Sequence, residues 1–523
     1  MPTPRSHPNY NVHFSNAKIK AIVSKSLDDV DDDEISIEPL PSGRSFNNRI
    51  YYININTKLR VGEESVTSDT ETETEEELEK ITSRRTPATT SFALKIIGRG
   101  FDERKIQNEI SCLLLLEKYC PSLSIPRVLS WSEDGEKVQT RSNPQGHTSL
   151  HDSFLAGLDG EEDDSKESVG QGWMLLSRVP GHVITLKDLK SPYGSSIMRQ
   201  IAAYVANWRT NMPPGNAIGN LILLAQGEAP PPAATLYVRS ILPGMDVYIQ
   251  GRLTGHVQPT KPLVNHLAYV THRLNSALQK LEEVEIYAHI QKPMTVMVRR
   301  FLQNTLPFLR LFANSRVPQD SLVQSDGLGQ VFVPQKSVFT HYDLSPRNVL
   351  VTESADGVIE VSAILDVEFS GLYPEPEEFA NTLVNDAYDW QNESYAVFLE
   401  QLRELSAVPA SLAQPNYTSY FEAKKFDDDT KQEKEIQDEI IPFGDVLFHQ
   451  ACLVMRIIEN VAPWWVKELS GLSDDELKEE LFGALRRVKR SILSLEEMDQ
   501  VILCSTADIL PGPKIAVSQD KAD

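Results

Sequence analysis

The chain has 523 residues, too many for one small core, with 41% hydrophobic and 24% charged residues, so about two to four domains or one large two-lobed enzyme are expected. A net charge of −23 argues against a nucleic-acid partner, because phosphate binding needs clustered Lys and Arg. The four cysteines, Cys112, Cys120, Cys452 and Cys504, form no CxxC pair and are too few for a disulfide scaffold, which points to a reducing compartment.

No apolar run approaches the roughly 18 residues of a membrane span, and the first 30 residues lack the apolar core of a signal peptide. A cytoplasmic location without a membrane partner is expected. The basic residues before Asp28 keep mitochondrial import as a minor alternative. Residues 1–35 end in the acidic run DDVDDDE and read as an extension, partly disordered. IYYININ (50–56) and SFALKII (91–97) have strand character. Between them, residues 62–80 hold nine acids and one base; such a stretch repels itself and reads as a disordered insert.

Residues 104–120 read as a helix, with apolar positions 106, 110, 113, 114 and 116 on one broad face and Pro121 as its stop. WMLLSRV (173–179) is strand-like and follows a second acidic loop, GEEDDSKE (160–167). From about 183 onward the helical period dominates, with long candidates at 197–212, 264–284 and 297–312. KSVFTH, NVLVT and VIEVSAILDVEF (358–369) are further strands, 424–440 is a charged exposed stretch, and 448–466 is a buried helix. Strands early and helices late give an α+β fold with two lobes. The smaller, sheet-bearing lobe spans 36–176, the larger, mainly helical lobe 177–505, and a tail 506–523.

THYDLSPRNVLV (340–351) places a polar cluster between two apolar runs. Asp343 stands at a strand-to-loop edge, Asn348 comes five residues later, and Asp366 ends the run ILD. A carboxylate with an amide oxygen suits a hard ion such as Mg2+, and a second carboxylate can take a proton from a substrate hydroxyl. With a cation on the nucleotide phosphates, these are the parts of phosphoryl transfer. Lys95, inside ALKII, is the candidate cation, and Glu109 in the following helix its ion-pair partner; the plain alternative for Lys95 is a solvated strand edge. PSGRSFNNRIYYI (41–53) is the candidate phosphate lid, where Gly43 and the small Ser42 and Ser45 let backbone N–H groups approach phosphate oxygens.

HYDLSPRN resembles the catalytic loop of the aminoglycoside phosphotransferase/choline kinase group, His-x-Asp-x-x-x-x-Asn, filled here by His341, Asp343 and Asn348. LLSRVPG (175–181) resembles that family's hinge. The SFNNRIY lid and DLSPRN loop are similar to those of fungal phosphotransferase-family proteins. The resemblance implies a bilobal protein-kinase-like fold and transfer of phosphate from ATP, with Mg2+, to a small-molecule hydroxyl. It implies Asp343 as catalytic base, Asn348 and Asp366 (in segment 364–371) as magnesium ligands, and Lys95 on the α and β phosphates with Glu109 holding it. Leu176 would line the adenine pocket, the backbones of Ser177 and Val179 would meet the adenine edge, and His341 would brace the loop. Arg347 would hold phosphate or neutralise carboxylates, and Glu368 would face either the metal or the substrate.

Several positions depart from kinase patterns: Val367 and Glu368 follow the metal aspartate where Phe-Gly is common, and the lid has one glycine. A nucleotide-binding pseudokinase or scaffold is therefore the runner-up reading. Glu375, Glu377, Glu378, Asp386 and Asp389 cluster after the metal segment. Facing the substrate, they would favour a cationic amine or aminoalcohol; simple surface exposure accounts for them equally well.

Overall fold

A computed structural model describes residues 8–9, 12–27, 30–41, 45, 47–56, 89–99, 101, 103–146, 148–150, 171–231, 234–251, 262–315, 336–385, 390, 392–413, 444–467 and 473–507. The acidic insert 62–80, the loop 160–167, the stretch 424–440, most of the tail, Gly43, Asp386 and Asp389 lie outside the described residues. The fold is mixed α+β, and the chain divides into two compact units.

The first unit comprises Met1–Gln200, Asn220–Gly255 and Pro346–Gly371. Strands β1 (Ile35–Pro39), β2 (Asn48–Asn56), β3 (Thr89–Ile97), β4 (Val128–Ser132), β5 (Lys137–Thr140), β6 (Thr148–Ser149) and β7 (Trp173–Ser177) form one sheet in the order β1-β2-β3-β7-β4-β5-β6. Alternate residues of β2 (Tyr51, Ile53, Ile55) and β3 (Phe92, Leu94, Ile96) enter one core cluster. Side chains alternate faces along a pleated strand, so Lys95, between Leu94 and Ile96, projects from the other face.

The core-side face is covered by a helix inside the segment expected to be partly disordered. Helix α1 (Asn16–Ser26) starts at Ser15, whose side chain accepts from Lys18 N–H, and buries Ile19, Ile22 and Val23. Their i, i+3, i+4 spacing is that of one helix face. Helix α2 (Glu103–Tyr119) is buried continuously from Lys105 to Leu116, which makes it an enclosed helix rather than a surface one. The β7 strand ends at Ser177, two residues short of the expected Val179 and ahead of Pro180.

Residues 221–249 correct the expectation of helix beyond 183. They form an antiparallel meander, β9 (Leu221–Ala225), β10 (Thr235–Leu242) and β11 (Met245–Ile249), in the order β10-β11-β9. LILLA is a five-residue apolar run and MDVYI one interrupted by Asp246, both too short for helices, and a Leu-Pro-Gly-Met turn joins the last two strands. A last sheet has the order β13-β12-β8, from β8 (His182–Val183), β12 (Val349–Glu353) and β13 (Ile359–Ile364). Gly181 enters it at φ 128°, and a Cβ there would stand 2.7 Å from the Val351 carbonyl, so the Pro-Gly step is required by backbone packing.

The second unit comprises Ile201–Gly219, His256–Ser345 and Leu372–Asp523. Its helices are the later part of α3 (Gly194–Asn211), α4 (His266–Glu283), α5 (Ala288–Asn304), α6 (Glu377–Asn385), α7 (Asn392–Glu404), α8 (Val446–Val461) and α9 (Asp474–Ala507). Its core is built at three- and four-residue spacing: Val270, Leu274, Leu278 and Leu281 of α4; Ile290, Met294, Val298 and Phe301 of α5; Val454, Ile457, Ile458 and Val461 of α8.

Helix α5 starts nine residues before the expected Met297 and ends at Asn304, since the chain then meets Pro307 in a short 3-10 turn. Helix α8 is capped by the Asp445 carboxylate, which accepts from Leu447 and Phe448 N–H at 2.8 and 3.1 Å. It stops at Val461, before Pro463. Among the described residues no helix is long and apolar enough to cross a membrane.

Candidate active site

In the first unit Lys95 gathers three carboxylates. Its Nζ lies 2.8 Å from both Glu109 oxygens, 2.7 Å from Asp366 Oδ1 and 3.1 Å from Glu368 Oε2. Glu109 comes from α2 and Asp366 from the end of β13, 271 residues beyond the lysine it meets. Burial by itself would pull the Lys95 ammonium down, but Asp366, Glu109 and Glu368 outweigh it and hold it well above the usual lysine value. Burial pushes the Glu109 carboxyl up, with Lys95 opposing.

A second lysine, Lys105, is also enclosed, with Nζ 3.1 Å from Glu368 Oε2 and 3.2 Å from Asn48 Oδ1. Burial lowers its pKa and Glu368 offsets that in part. For Glu368, burial works against the charge, yet Lys105, Lys95 and the Asn48 and Asn47 amides hold the carboxyl below its ordinary range. Glu368, which the sequence left open between metal and substrate, is 1% exposed and turned inward.

Asp366 has left-handed backbone angles, φ 65° and ψ 58°, which cost a non-glycine residue about 1–2 kcal/mol. The turn after it, Val367–Phe369, is clamped by amides. Asn108 Nδ2 donates to the Glu368 and Ser370 carbonyls at 2.9 and 3.0 Å, and Asn220 Nδ2 to Ser370 at 2.8 Å. Asn108 Oδ1 in turn accepts from Leu221 N–H at 2.7 Å, which ties the meander to α2.

Asn348 is 6% exposed and its carbonyl accepts from Leu365 N–H at 2.7 Å, one residue before Asp366. Arg347 is exposed, in a 3-10 turn spanning Pro346–Asn348. A carboxylate and an amide oxygen are the donor chemistry of a hard divalent cation. Of the three carboxylates around Lys95, Asp366 is the outward one: its side chain is 31% exposed, against 3% and 1% for Glu109 and Glu368. Asp366 and Asn348 thus fit such an ion.

Leu176 lies inside β7, paired with Ala93 and Val128. Ser177 N–H donates to the Arg127 carbonyl at 2.9 Å, and its Oγ accepts from Arg127 N–H at 2.8 Å. Val179 stands just past the strand end, partly buried. Ser45 offers its carbonyl to Asn9 Nδ2 at 2.8 Å.

The loop holding Asp343 belongs to the second unit and is organised differently. His341 is fully buried, its ring centroid 6.1 Å from Trp208, and its Nδ1 faces Asp343 N–H at 3.4 Å. The Glu378 carboxylate accepts from His341 N–H at 2.6 Å and from Tyr342 N–H at 3.2 Å. Asn381 Nδ2 donates to the Tyr342 carbonyl, and Trp390 Nε1 to that of Leu344 at 2.9 Å. Tyr342 is held at φ 73°, so Asp343, which is half-buried, follows a left-handed step. Burial pushes the Glu378 carboxyl up to about 7, against the opposing pull of the His341 N–H and of Arg209.

Two of the five acids offered as a substrate-facing cluster, Glu377 and Glu378, are turned inward. Glu378 is spent on the loop backbone. Glu377 accepts from Arg273 at 2.7 Å and from the Tyr269 hydroxyl at 2.6 Å, and both are enclosed. Sequence reasoning passed over Glu378, Asn381, Lys105, Asn47, Asn48 and Asn108 as site-builders. The paired asparagines in SFNNRIY and the Glu-Glu pair after Pro376 were the available signals.

No family model and no curated protein matches the chain. Among solved structures it is similar to aminoglycoside phosphotransferases and to an ethanolamine kinase. With ADP-bound aminoglycoside phosphotransferase APH(2'')-Ib the TM-score is 0.41 at 10% identity, covering 91% of this chain and 99% of that one. With APH(2'')-IIa in its gentamicin complex it is 0.38 at 11%, covering 91% and 96%. With ethanolamine kinase from Plasmodium vivax it is 0.34 at 9%, covering 89% and 83%.

Proposed function

We propose that the chain is a bilobal kinase-like phosphotransferase that uses ATP and Mg2+ to phosphorylate a hydroxyl of a small molecule. The observation that carries this reading is the Lys95 ammonium, buried and held by both Glu109 oxygens and by Asp366. A lysine fixed in depth by one carboxylate, beside another of metal-ligand type, is the arrangement that phosphate handling needs. The loop motif HYDLSPRN supplies the rest.

In this reading Lys95 neutralises charge on the nucleotide phosphates, and Glu109 stops its stem from wandering. Asp343 accepts the proton of the substrate hydroxyl, while Glu378 and His341 hold the peptide units on which it stands. Asp366 and Asn348 would hold a magnesium ion, which when bound supplies charge neutralisation at the phosphates. Val179 presents the hinge backbone to adenine, since the Ser177 N–H is already engaged.

The test is turnover of Mg·ATP with a pool of hydroxylated metabolites, read as ADP release, alongside calorimetric nucleotide binding. Asp343→Asn is expected to lose about 10²- to 10⁴-fold in turnover while binding is retained. Binding without any turnover in the unaltered chain would favour the nucleotide-binding scaffold. Absence of Mg-nucleotide binding would overturn both.

A further inference from the structure

Glu109, Asp366 and Glu368 present carboxylate oxygens within 4.8 Å of one another, so all three are formal candidates for a metal. We propose that Glu368 is instead a positioning residue of the nucleotide site: with Asn47, Asn48 and Lys105 it fixes where Lys95 and Asp366 stand, and it ligates no ion. This inference rests on the phosphotransferase reading.

A carboxylate has about four lone-pair sites, and four donors address this one. Oε2 receives Lys95 and Lys105 at 3.1 Å each and Asn48 Nδ2 at 2.7 Å. Oε1 receives Asn47 Nδ2 at 2.8 Å. A metal on Oε2 would have to displace one of three donors, at the cost of leaving a buried donor unpaired, and one on Oε1 would have to reach a side chain that is 1% exposed and already held there by Asn47.

The donors come from three separate pieces of chain. Asn47 and Asn48 stand at the start of β2, Lys105 in the first turn of α2, and Lys95 in β3. Each is itself fixed. The Asn47 carbonyl accepts from Gly98 N–H at 2.9 Å, and a Cβ at Gly98 would stand 2.5 Å from that oxygen, so only glycine permits the approach. Lys105 Nζ sits 3.6 Å from the Phe101 ring centroid, a cation–π contact. Glu368 is therefore the point where the base of the lid strand, the Glu109 helix and the Asp366 turn meet.

Charge gives the arrangement its purpose. Three carboxylates face two ammonium groups in this cluster. Without Lys105, Lys95 alone would answer all three and be drawn toward Glu368. Lys105 and the two amides satisfy Glu368 separately, which leaves the Lys95 charge directed at Asp366 and at an incoming phosphate.

The experiment pairs metal binding with nucleotide binding on the full chain. Mn2+ is titrated and followed by electron paramagnetic resonance, and ADP affinity is measured with and without Mn2+. Glu368→Gln is expected to weaken ADP about tenfold, in metal-free buffer as well, while the number of bound Mn2+ ions stays unchanged. Lys105→Met should reproduce this split and Lys105→Arg should restore it. Asp366→Asn should show the opposite split, losing Mn2+.

Should Glu368→Gln fail to fold, Asn47→Ala removes one donor and no buried charge, and carries the same two-part readout. Loss of a Mn2+ site in either variant, or ADP affinity unchanged without metal, overturns the proposal. An unaltered chain that binds neither Mn2+ nor ADP overturns the phosphotransferase reading along with it.

Discussion

The two polar centres are built on opposite plans. Around Lys95 the partners are charged side chains, two of them enclosed, and each holds another side chain. Around Asp343 the partners hold backbone: Glu378, Asn381 and Trp390 all bond to main-chain groups of residues 341–344. The first plan fixes charges at a depth. The second fixes the path of a loop and leaves the Asp343 side chain to do chemistry. Energetically the first is exposed to loss of a counter-charge, and the second to loss of geometry.

The sharpest way to break the comparison is to remove the common cation. Lys95→Met strands buried carboxylates, and removing one partner of a buried ion pair costs about 3–5 kcal/mol. A loss of that size in unfolding free energy, read as a lowered denaturant midpoint, is expected, partly recovered when Glu109→Gln is added. An unshifted midpoint would mean the carboxylates share another counter-ion.

The loop should answer differently. Glu378→Gln replaces one acceptor with a donor facing the Tyr342 or His341 N–H, and a small misplacement of a catalytic group costs about 10²-fold. That loss should appear in kcat with nucleotide affinity unchanged; a fall in affinity alone would contradict the positioning role.

The smallest effect is on pH dependence. The Glu378 carboxyl is raised from 4.5 to about 7, so between those values the fold keeps a proton that the unfolded chain releases. Stability from this group is fully present below pH 4.5 and falls as pH rises through about 7, by up to about 1.4 kcal/mol per pH unit. Unfolding midpoints measured from pH 4.5 to 8 should slope downward less in Glu378→Gln than in the unaltered chain. Equal slopes would place the ionisation elsewhere.

What the sequence disclosed followed from periodicity and local chemistry. β2 and β3 were legible because Tyr51, Ile53 and Ile55, and Phe92, Leu94 and Ile96, alternate. Lys95 and Glu109 could be paired because a strand and an adjoining helix leave few places for a buried charge. The meander was not legible because five-residue apolar runs fit a buried strand and a buried helix segment alike. The role of Glu378 was not legible because it depends on where α6 folds back onto a loop 36 residues earlier in sequence; the Glu-Glu pair after Pro376 marks the residue but not its partner. Lys105 carries no local mark of its role, because the broad apolar face of α2 does not show that the helix is enclosed from Lys105 to Leu116.

Helix α1 bears on how the chain can be shortened. Ile19, Ile22 and Val23 are fully buried against the sheet, so cutting away the first 26 residues would bare a greasy floor beneath β2 and β3. The trimmed protein would bind hydrophobic dyes and stick to itself. The leading stretch, acidic at its end and easily dismissed as a leader, is one wall of the first unit's interior.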